Sequence, residues 1–155
     1  MKKILITRKL IKSSEDYASN IFDVKFNKED EVMTKDDLIK NSSDCDGILS
    51  SLTEKIDAEV ISKLSSSIKI ISNFAVGFGN IDIVAAKKKN IIVTNTPEVL
   101  TDATAEIAML VLLGAARRAK EGIEWVNKKN WKWSADFLMG KQLTGARLGI
   151  LGMGR

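Results

Sequence analysis

The sequence predicts an α/β protein built on a parallel, doubly wound sheet. Short runs of apolar, β-branched residues alternate with amphipathic stretches, as in repeated βα units. The 155 residues are 45% hydrophobic and 28% charged, with 10 Gly and 1 Pro, which is typical of a packed globule and not of a disordered chain. The longest apolar run, residues 107–113, is far shorter than the roughly 18 residues of a membrane span, so we expect no membrane association.

Five segments are predicted to be strands: residues 3–8, 22–26, 47–50, 68–74 and 91–94. The fourth, Ile68-Lys69-Ile70-Ile71-Ser72-Asn73-Phe74, is nearly continuous in apolar character. A parallel strand covered by helices on both faces has this pattern. We therefore expect both faces of the fourth strand to be buried.

Four helices are predicted between these strands: residues 14–21, 35–41, 57–64 and 81–89. In the third, Ala58, Ile61 and Leu64 recur at a spacing of three residues, and Glu59 lies four residues before Lys63. Five strands alternating with four helices predict a small, flavodoxin-like domain over residues 1–100.

Pro97, the only proline, should end the fifth strand. After it, the alternation of short strands and helices gives way to one long apolar segment. Thr101 or Asp102 is a good N-cap for a helix that continues to Ala116. This helix is apolar on all sides for three turns, and such a helix must be covered all round. We expect it to pass between two domains or into a partner subunit.

The apolar helix is followed by an irregular polar stretch in which nine positions hold all three tryptophans, Trp125, Trp131 and Trp133. Tryptophans in such a stretch favour an interface over a core position. The basic residues between 117 and 132 fall at helical spacing and are diluted by Glu121 and Glu124. They favour a solvated helix face over a nucleic-acid contact.

Histidine is absent from the sequence, which excludes a Ser-His-Asp triad, a Cys-His dyad and a His-metal site within these residues.

The single cysteine, Cys45, permits no internal disulfide, so a reducing cytoplasm is the expected compartment. A buried, inert thiol is expected there.

The last residues predict the start of a second domain. An apolar strand at 148–151 runs directly into Gly152-Met153-Gly154-Arg155. In dinucleotide folds the first glycine of such a pair makes a tight turn and the second lets the backbone approach a pyrophosphate. The third glycine would be three residues further on, beyond residue 155, so we expect a domain truncated near its beginning.

Several linked motifs together resemble the D-isomer-specific 2-hydroxyacid dehydrogenases. They are Ser72-Asn73-Phe74-Ala75-Val76-Gly77-Phe78-Gly79-Asn80-Ile81-Asp82, the run from Val93-Thr94-Asn95-Thr96-Pro97 to Glu106, and the final Leu148-Gly149-Ile150-Leu151-Gly152-Met153-Gly154-Arg155. The segment Val99-Leu100-Thr101-Asp102-Ala103-Thr104-Ala105-Glu106 is most similar to the glyoxylate and hydroxypyruvate reductase branch. The resemblance covers residues 45–155 and identifies the chain as an N-terminal fragment of such an enzyme.

This resemblance implies a flavodoxin-like substrate domain at residues 1–100. Residues 101–155 would hold an interdomain helix, a dimerisation segment and the start of a Rossmann domain. Hydride would pass between NAD or NADP and the C2 carbon of a small 2-oxo or 2-hydroxy acid. The resemblance places Val76, Gly77, Ser51, Leu52 and Trp133 at the substrate. It places Thr104, Gly152, Gly154 and Arg155 at the cofactor, and it implies a homodimer formed through residues 101–140.

The arginine, glutamate and histidine that such enzymes use in catalysis would lie beyond residue 155. We therefore expect no turnover, and little or no dinucleotide binding, by these residues alone. Two alternatives remain open. One is an NAD(H)-responsive corepressor of the same architecture. The other is a self-contained flavodoxin-like binding module that ends at residue 155, which is disfavoured because it would leave an apolar helix uncovered.

Overall fold

The computed structural model describes residues 1–129 and 132–154 and divides the chain into two compact units. The first unit is Met1–Val99, and the second begins at Leu100. Trp131 and Arg155, which sequence analysis assigned to an interface and to the cofactor, lie outside the described residues.

The first unit contains a five-stranded parallel sheet in the order β2-β1-β3-β4-β5. This is the flavodoxin-like order, so the predicted fold class is confirmed. Four strands are shorter than predicted at one end, and β3 is one residue longer: β1 Lys3–Ile6, β2 Asp23–Phe26, β3 Gly47–Ser51, β4 Ile70–Phe74 and β5 Ile92–Thr94.

Four helices connect these strands: α1 Lys12–Ile21, α2 Lys35–Asn41, α3 Ala58–Lys63 and α4 Ile83–Lys88. Three of these helices are preceded by an N-cap residue whose side chain accepts a hydrogen bond from a backbone N–H of the first turn that has no partner within the helix. These N-caps are Thr34 for α2, Asp57 for α3 and Asp82 for α4. The polar residue before each apolar stretch therefore fixes where the helix starts.

The core lies between one face of the sheet and helices α2, α3 and α4. Leu5, Ile48 and Ile71 come from successive strands and are fully or almost fully buried. They join one cluster with Leu38, Val60, Ile61 and Ala86 from the three helices. Cys45 belongs to the same cluster, and burial raises the pKa of its thiol above the ordinary value.

The prediction that β4 is covered on both faces is wrong. Ile71 and Asn73 are buried, but Ile70 and Phe74 on the opposite face are exposed, as is Ile92 of β5. A groove of about 410 Å³ runs along this second face between Ile4, Gly47 and Ile70. Apolar side chains on both faces of a strand are buried only where other elements cover both faces. Among the described residues, no helix or strand covers the face that carries Ile70.

Lys89 joins the ends of two helices. Its Nζ donates to the backbone oxygens of Ile61, Ser62 and Leu64, at the C-terminus of α3. A cation is favourable there because the last carbonyls of a helix lack partners within the helix and carry its negative dipole end.

The second unit contains α5 Thr101–Ala116 and α6 Ala119–Lys128. The predicted N-caps, Thr101 and Asp102, are wrong: the cap position is Leu100, which makes no side-chain capping bond. Trp125 lies in α6 and not in an irregular stretch, and its ring meets that of Phe137 edge-on at 5.6 Å. None of the helices in the described ranges is long and apolar enough to cross a membrane.

The strand predicted at residues 148–151 is also not formed. These residues have no strand partner among the described residues, and Leu151 is fully exposed. A strand is defined by hydrogen bonds to a neighbour, so an apolar, β-branched run alone does not make one.

Candidate functional site

The carboxyl ends of β3, β4 and β5 lie side by side at one edge of the sheet. Ser51 pairs with Phe74, and Ser72 pairs with Thr94. Residues 75–80 follow β4 and form a loop, here called the amide loop, that leads towards α4. Ligands of doubly wound sheets bind at this edge, outside the carboxyl ends of the strands. A ligand site is therefore expected at the amide loop.

Three consecutive backbone oxygens of the amide loop accept hydrogen bonds from the protein. The Ala75 oxygen accepts from the Thr96 N–H at 2.9 Å. The Val76 oxygen accepts from Asn95 Nδ2 at 2.7 Å, and the Gly77 oxygen accepts from Asn73 Nδ2 at 3.0 Å. Each peptide plane from residue 75 to residue 78 is thus held by a donor that belongs to the end of β4 or to the segment after β5.

The N–H groups of the same three peptides point away from those donors, because the C=O and N–H of a trans peptide are antiparallel. They belong to Val76, Gly77 and Phe78, and the described residues offer none of them an acceptor. Gly77 is exposed, and a Cβ on it would meet nothing within 4 Å. The arrangement offers free amide donors to a ligand, and carboxylate oxygens suit such donors.

Two buried or half-buried asparagines tie the amide loop to the loop after β3. Asn73 accepts from Ser50 Oγ at 3.0 Å and donates to Asn80 Oδ1 at 3.0 Å. Asn80 Nδ2 in turn donates to the Ser51 oxygen at 2.9 Å and to the Glu54 oxygen at 3.1 Å. The backbones also pair directly, because Ile56 N–H donates to the Asn80 oxygen. The two loops therefore form one hydrogen-bonded structure.

Glu54 lies at the centre of the loop after β3 and is only 1% exposed. Its Oε2 accepts from Thr7 Oγ1 at 2.8 Å, from Ser51 N–H at 3.0 Å and from Ser51 Oγ at 3.2 Å. Its Oε1 accepts from Thr53 Oγ1 at 2.9 Å. A buried carboxylate is tolerated only with such partners, so Glu54 serves to fix the loop.

Arg8 lies at the end of β1 and adds a cation next to this loop. Its Nη1 donates to Thr53 Oγ1 at 3.1 Å, and its Nε pairs with Asp30 Oδ1 at 2.9 Å. The hydrogen bond from Arg8 holds the pKa of the Asp30 carboxyl below its ordinary value, and the Lys9 N–H acts in the same direction.

Within residues 1–129 and 132–154, no three His, Cys, Asp or Glu side chains come together as metal ligands.

The structure places four of the predicted substrate residues at neighbouring strand ends. Val76 and Gly77 are in the amide loop, and Ser51 ends β3. The Ser51 hydroxyl is engaged with Glu54 and with Thr53, at 2.8 Å from Thr53 Oγ1. Leu52, the next residue, projects its side chain into solvent and is 69% exposed.

The other predicted site residues belong to the second unit. Thr104 lies in the first turn of α5, and its hydroxyl donates to the Leu100 oxygen at 2.8 Å. Trp133 is exposed. Gly152 has the left-handed backbone angle φ of 82°, which suits the tight turn expected of it. No helix follows it in the described residues, and a Cβ on Gly152 or Gly154 would meet nothing within 4 Å.

Comparison with known proteins places this geometry in a family. Residues 4–144 match the sequence model of the D-isomer specific 2-hydroxyacid dehydrogenase catalytic domain. The chain belongs to this family. The carboxyl-edge loops described above are therefore part of a 2-hydroxyacid dehydrogenase catalytic domain.

Individual members of the family resemble the whole chain. A glycerate dehydrogenase of Hyphomicrobium methylovorum is 42% identical over 99% of the chain and 48% of its own length. A glyoxylate reductase of Korarchaeum cryptofilum is 37% identical over 99% of the chain and 46% of its own length. The crystal structure of a putative D-isomer specific 2-hydroxyacid dehydrogenase from Polaromonas superposes with a TM-score of 0.91 at 39% identity, covering 99% of the chain and 49% of its own. The chain thus spans about half the length of the 2-hydroxyacid dehydrogenases that it matches.

Sequence reasoning missed the residues that hold the site together: Thr7, Arg8, Glu54, Asn73, Asn80 and Asn95. Asn73 and Asn95 did leave a signal, since each is a polar residue at the carboxyl end of an otherwise apolar strand. Glu54 left none, because a glutamate after a strand usually indicates a solvated loop. Its burial depends on contacts with Thr7, a residue 47 positions away.

Proposed function

We propose that this chain supplies the substrate-binding side of an oxidoreductase that interconverts a small 2-oxo acid, such as glyoxylate or hydroxypyruvate, and its 2-hydroxy acid. The observation that carries the proposal is the set of free amides at Val76 and Gly77, on a loop whose Ala75, Val76 and Gly77 carbonyls are held by other groups. The similarity to a glycerate dehydrogenase and a glyoxylate reductase supports this substrate class.

The amide loop binds and orients the acid through its carboxylate. Backbone N–H groups are permanent donors that do not titrate, so their attraction for a carboxylate persists wherever the acid is ionised. Fixing the carboxylate fixes the C2 carbon next to it, which is the atom whose oxidation state changes. Ser51 and Leu52 line the same strand edge and limit the space for the rest of the substrate.

A nicotinamide cofactor, NAD or NADP, is proposed as the hydride donor and acceptor of the longer enzymes. The described residues do not assemble a site for it, because residues 148–151 form no strand. Thr104, Gly152, Gly154 and Arg155 are proposed to contact the cofactor, on the basis of the resemblance to the family.

The 155 residues themselves are proposed to be inactive. They contain no histidine, and the amide loop offers hydrogen bonds but no group to move a proton to or from the C2 oxygen. We expect no oxidation of NADH or NADPH above background with glyoxylate or hydroxypyruvate, followed by absorbance at 340 nm. An appreciable rate would contradict this assignment.

The single unpaired cysteine supports a reducing compartment, and we propose the cytoplasm. A homodimer formed through residues 101–140 is also proposed, with Trp133 reaching towards the partner subunit. Its support is the apolar surface of α5, where Ile107, Leu110 and Val111 are more than half exposed.

Titration of the ¹⁵N-labelled chain with sodium oxalate tests the substrate-binding role. Oxalate presents the paired carboxylate and C2 oxygen pattern of a small 2-oxo acid. We expect saturable shifts of the Val76 and Gly77 amide signals, and no such shifts with sodium chloride at equal ionic strength. Shifts elsewhere in the chain, or none at millimolar oxalate, would refute the assigned site.

A further inference from the structure

We propose that Asn95 is a positioning residue that aims the amide loop at the substrate carboxylate, with Phe78 N–H as a third donor beside those of Val76 and Gly77. The inference rests on the proposed function, because it concerns the same site. Its evidence is the row of hydrogen bonds to the Ala75, Val76 and Gly77 oxygens from Thr96, Asn95 and Asn73.

Each of these bonds sets the direction of one amide. The 2.7 Å bond from Asn95 Nδ2 to the Val76 oxygen fixes the peptide plane that carries the Gly77 N–H. Rotation is cheap at Gly77, because it has no side chain to restrict it. Without Asn95, no hydrogen bond would hold the peptide between Val76 and Gly77. Its orientation would then depend only on the two adjacent peptides of the loop.

Asn95 is also the donor whose role can be separated from folding. Asn73 is buried and bonds to Ser50 and Asn80 as well as to Gly77, so its loss disturbs the core. Asn95 is half-buried, and among the described residues its side chain bonds only to the Val76 oxygen. It contributes to no apolar cluster in the described residues.

The same reasoning extends the site by one amide. The Gly77 oxygen is held by Asn73, so the Phe78 N–H on that peptide is directed as firmly as the other two. Phe78 and Gly77 are both exposed residues, and no acceptor among the described residues engages the Phe78 N–H. Donors held in place before binding save the ligand the cost of ordering them, and Asn95 thereby contributes to affinity without touching the acid.

The test compares Asn95→Leu, which keeps the shape of the side chain but removes its donor, with the wild-type chain. Asn95→Ala is the second variant in case leucine disturbs folding, and Thr94→Val is the matched control. Thr94 is the adjacent residue, and its hydroxyl donates to Ser72 Oγ at 3.0 Å, away from the amide loop. Oxalate affinity is measured by ¹⁵N shifts, and ligand-free loop order by ¹⁵N relaxation.

We expect both Asn95 variants to bind oxalate about tenfold more weakly, the ratio set by one ordinary hydrogen bond. In the free protein they should shift the Gly77 amide signal and lower its order parameter, while Thr94→Val behaves as wild type in both measurements. The amide signal of Phe78 should also shift when oxalate is added to the wild-type chain. A merely structural role for Asn95 would change the thermal midpoint but not these signals.

Oxalate affinity and Gly77 order that are unchanged in Asn95→Leu would overturn the positioning role. Failure of the wild-type chain to bind oxalate would instead refute the proposed function. The ligand-free relaxation of Gly77 then decides by itself whether Asn95 fixes the loop, so the two failures are distinguishable.

Discussion

Glu54 shows at the scale of a single residue how a charge becomes part of a scaffold. Its two oxygens accept four hydrogen bonds from Thr7, Ser51 and Thr53. These donors lie just after β1, at the end of β3 and in the loop that follows it, so one side chain joins segments far apart in sequence. Removing it leaves the buried Thr7 hydroxyl and three part-buried donors without their acceptor.

We predict that Glu54→Leu lowers the free energy of unfolding by about 2–4 kcal/mol, because one buried and three part-buried donors lose their acceptor. Glu54→Gln should lower it by less, since the amide retains one oxygen and Thr53 Oγ1 can accept from its NH2 group. Urea denaturation followed by circular dichroism measures both effects. Glu29→Ala, at an exposed position, is the control. Equal stability of Glu54→Leu and wild type would contradict this role.

Gly47 determines how closely β3 and β4 pack, at the scale of the sheet. A Cβ at this position would lie 2.9 Å from Ile70 Cγ2 and 3.4 Å from the Ile70 oxygen. Ile70 is its register partner on β4, so no shift along the strand relieves the contact.

Gly47→Ala is therefore expected to cost about 1–3 kcal/mol of folding stability, the usual range for overpacking. Gly79→Ala provides the matched comparison, because a Cβ there meets nothing within 4 Å. The urea midpoints of the two variants should differ clearly, with Gly79→Ala close to wild type. Similar midpoints would mean that Ile70 moves aside without cost.

Helix α3 carries a pH-dependent contribution to stability. Asp57 caps it by accepting from the Val60 N–H, and its carboxylate pairs with Lys35 Nζ at 2.6 Å. The hydrogen bond from Lys35, followed by that from Val60, holds the pKa of Asp57 below its ordinary value of 3.8. A lowered folded-state pKa stabilises the native state above the ordinary value, and this stabilisation disappears as the pH falls below it.

The variant Asp57→Asn keeps a capping oxygen but loses the charge paired with Lys35. We expect it to be less stable than wild type at pH 7, and the difference to shrink as the pH falls through 3.8 towards the folded-state pKa. Urea midpoints at successive pH values measure this convergence. A difference that stays constant with pH would show that the ion pair contributes nothing.

Elements were predictable from the sequence where local chemistry defines them. Helix α2 was predicted with its observed bounds, and the features that define it in the structure, the Thr34 cap and the apolar Leu38 and Ile39, are local. Residues 148–151 and the second face of β4 were predicted wrongly, since both depend on whether another segment lies alongside. The free amides of Val76 and Gly77 were assigned by resemblance, but the asparagines that aim them depend on non-local contacts. No periodicity reveals such contacts.

At the scale of the whole molecule, the second unit presents a helix whose apolar side chains are exposed. Helix α5 has no buried residue, and Leu110, one of its central side chains, is 64% exposed. Exposed apolar area of this kind favours association.

We predict that the chain forms dimers at micromolar concentration and that Leu110→Glu abolishes them without loss of helix content. Sedimentation velocity measures the association, and circular dichroism checks the fold. Lys9→Glu, an exposed charge change in the first unit, should leave the dimer intact. Monomers of the wild-type chain at high concentration would exclude residues 101–140 as a dimer interface.

The brevity of β5 has a consequence for solubility during folding. It is an edge strand of only three residues, Ile92–Thr94, and Pro97 follows shortly after it. An unpaired strand edge can recruit another chain and start fibril growth, but a short edge next to a proline offers too few hydrogen bonds for a foreign strand to stay bound. Lengthening β5 by replacing Pro97 with a β-branched residue should therefore make the protein more prone to aggregate.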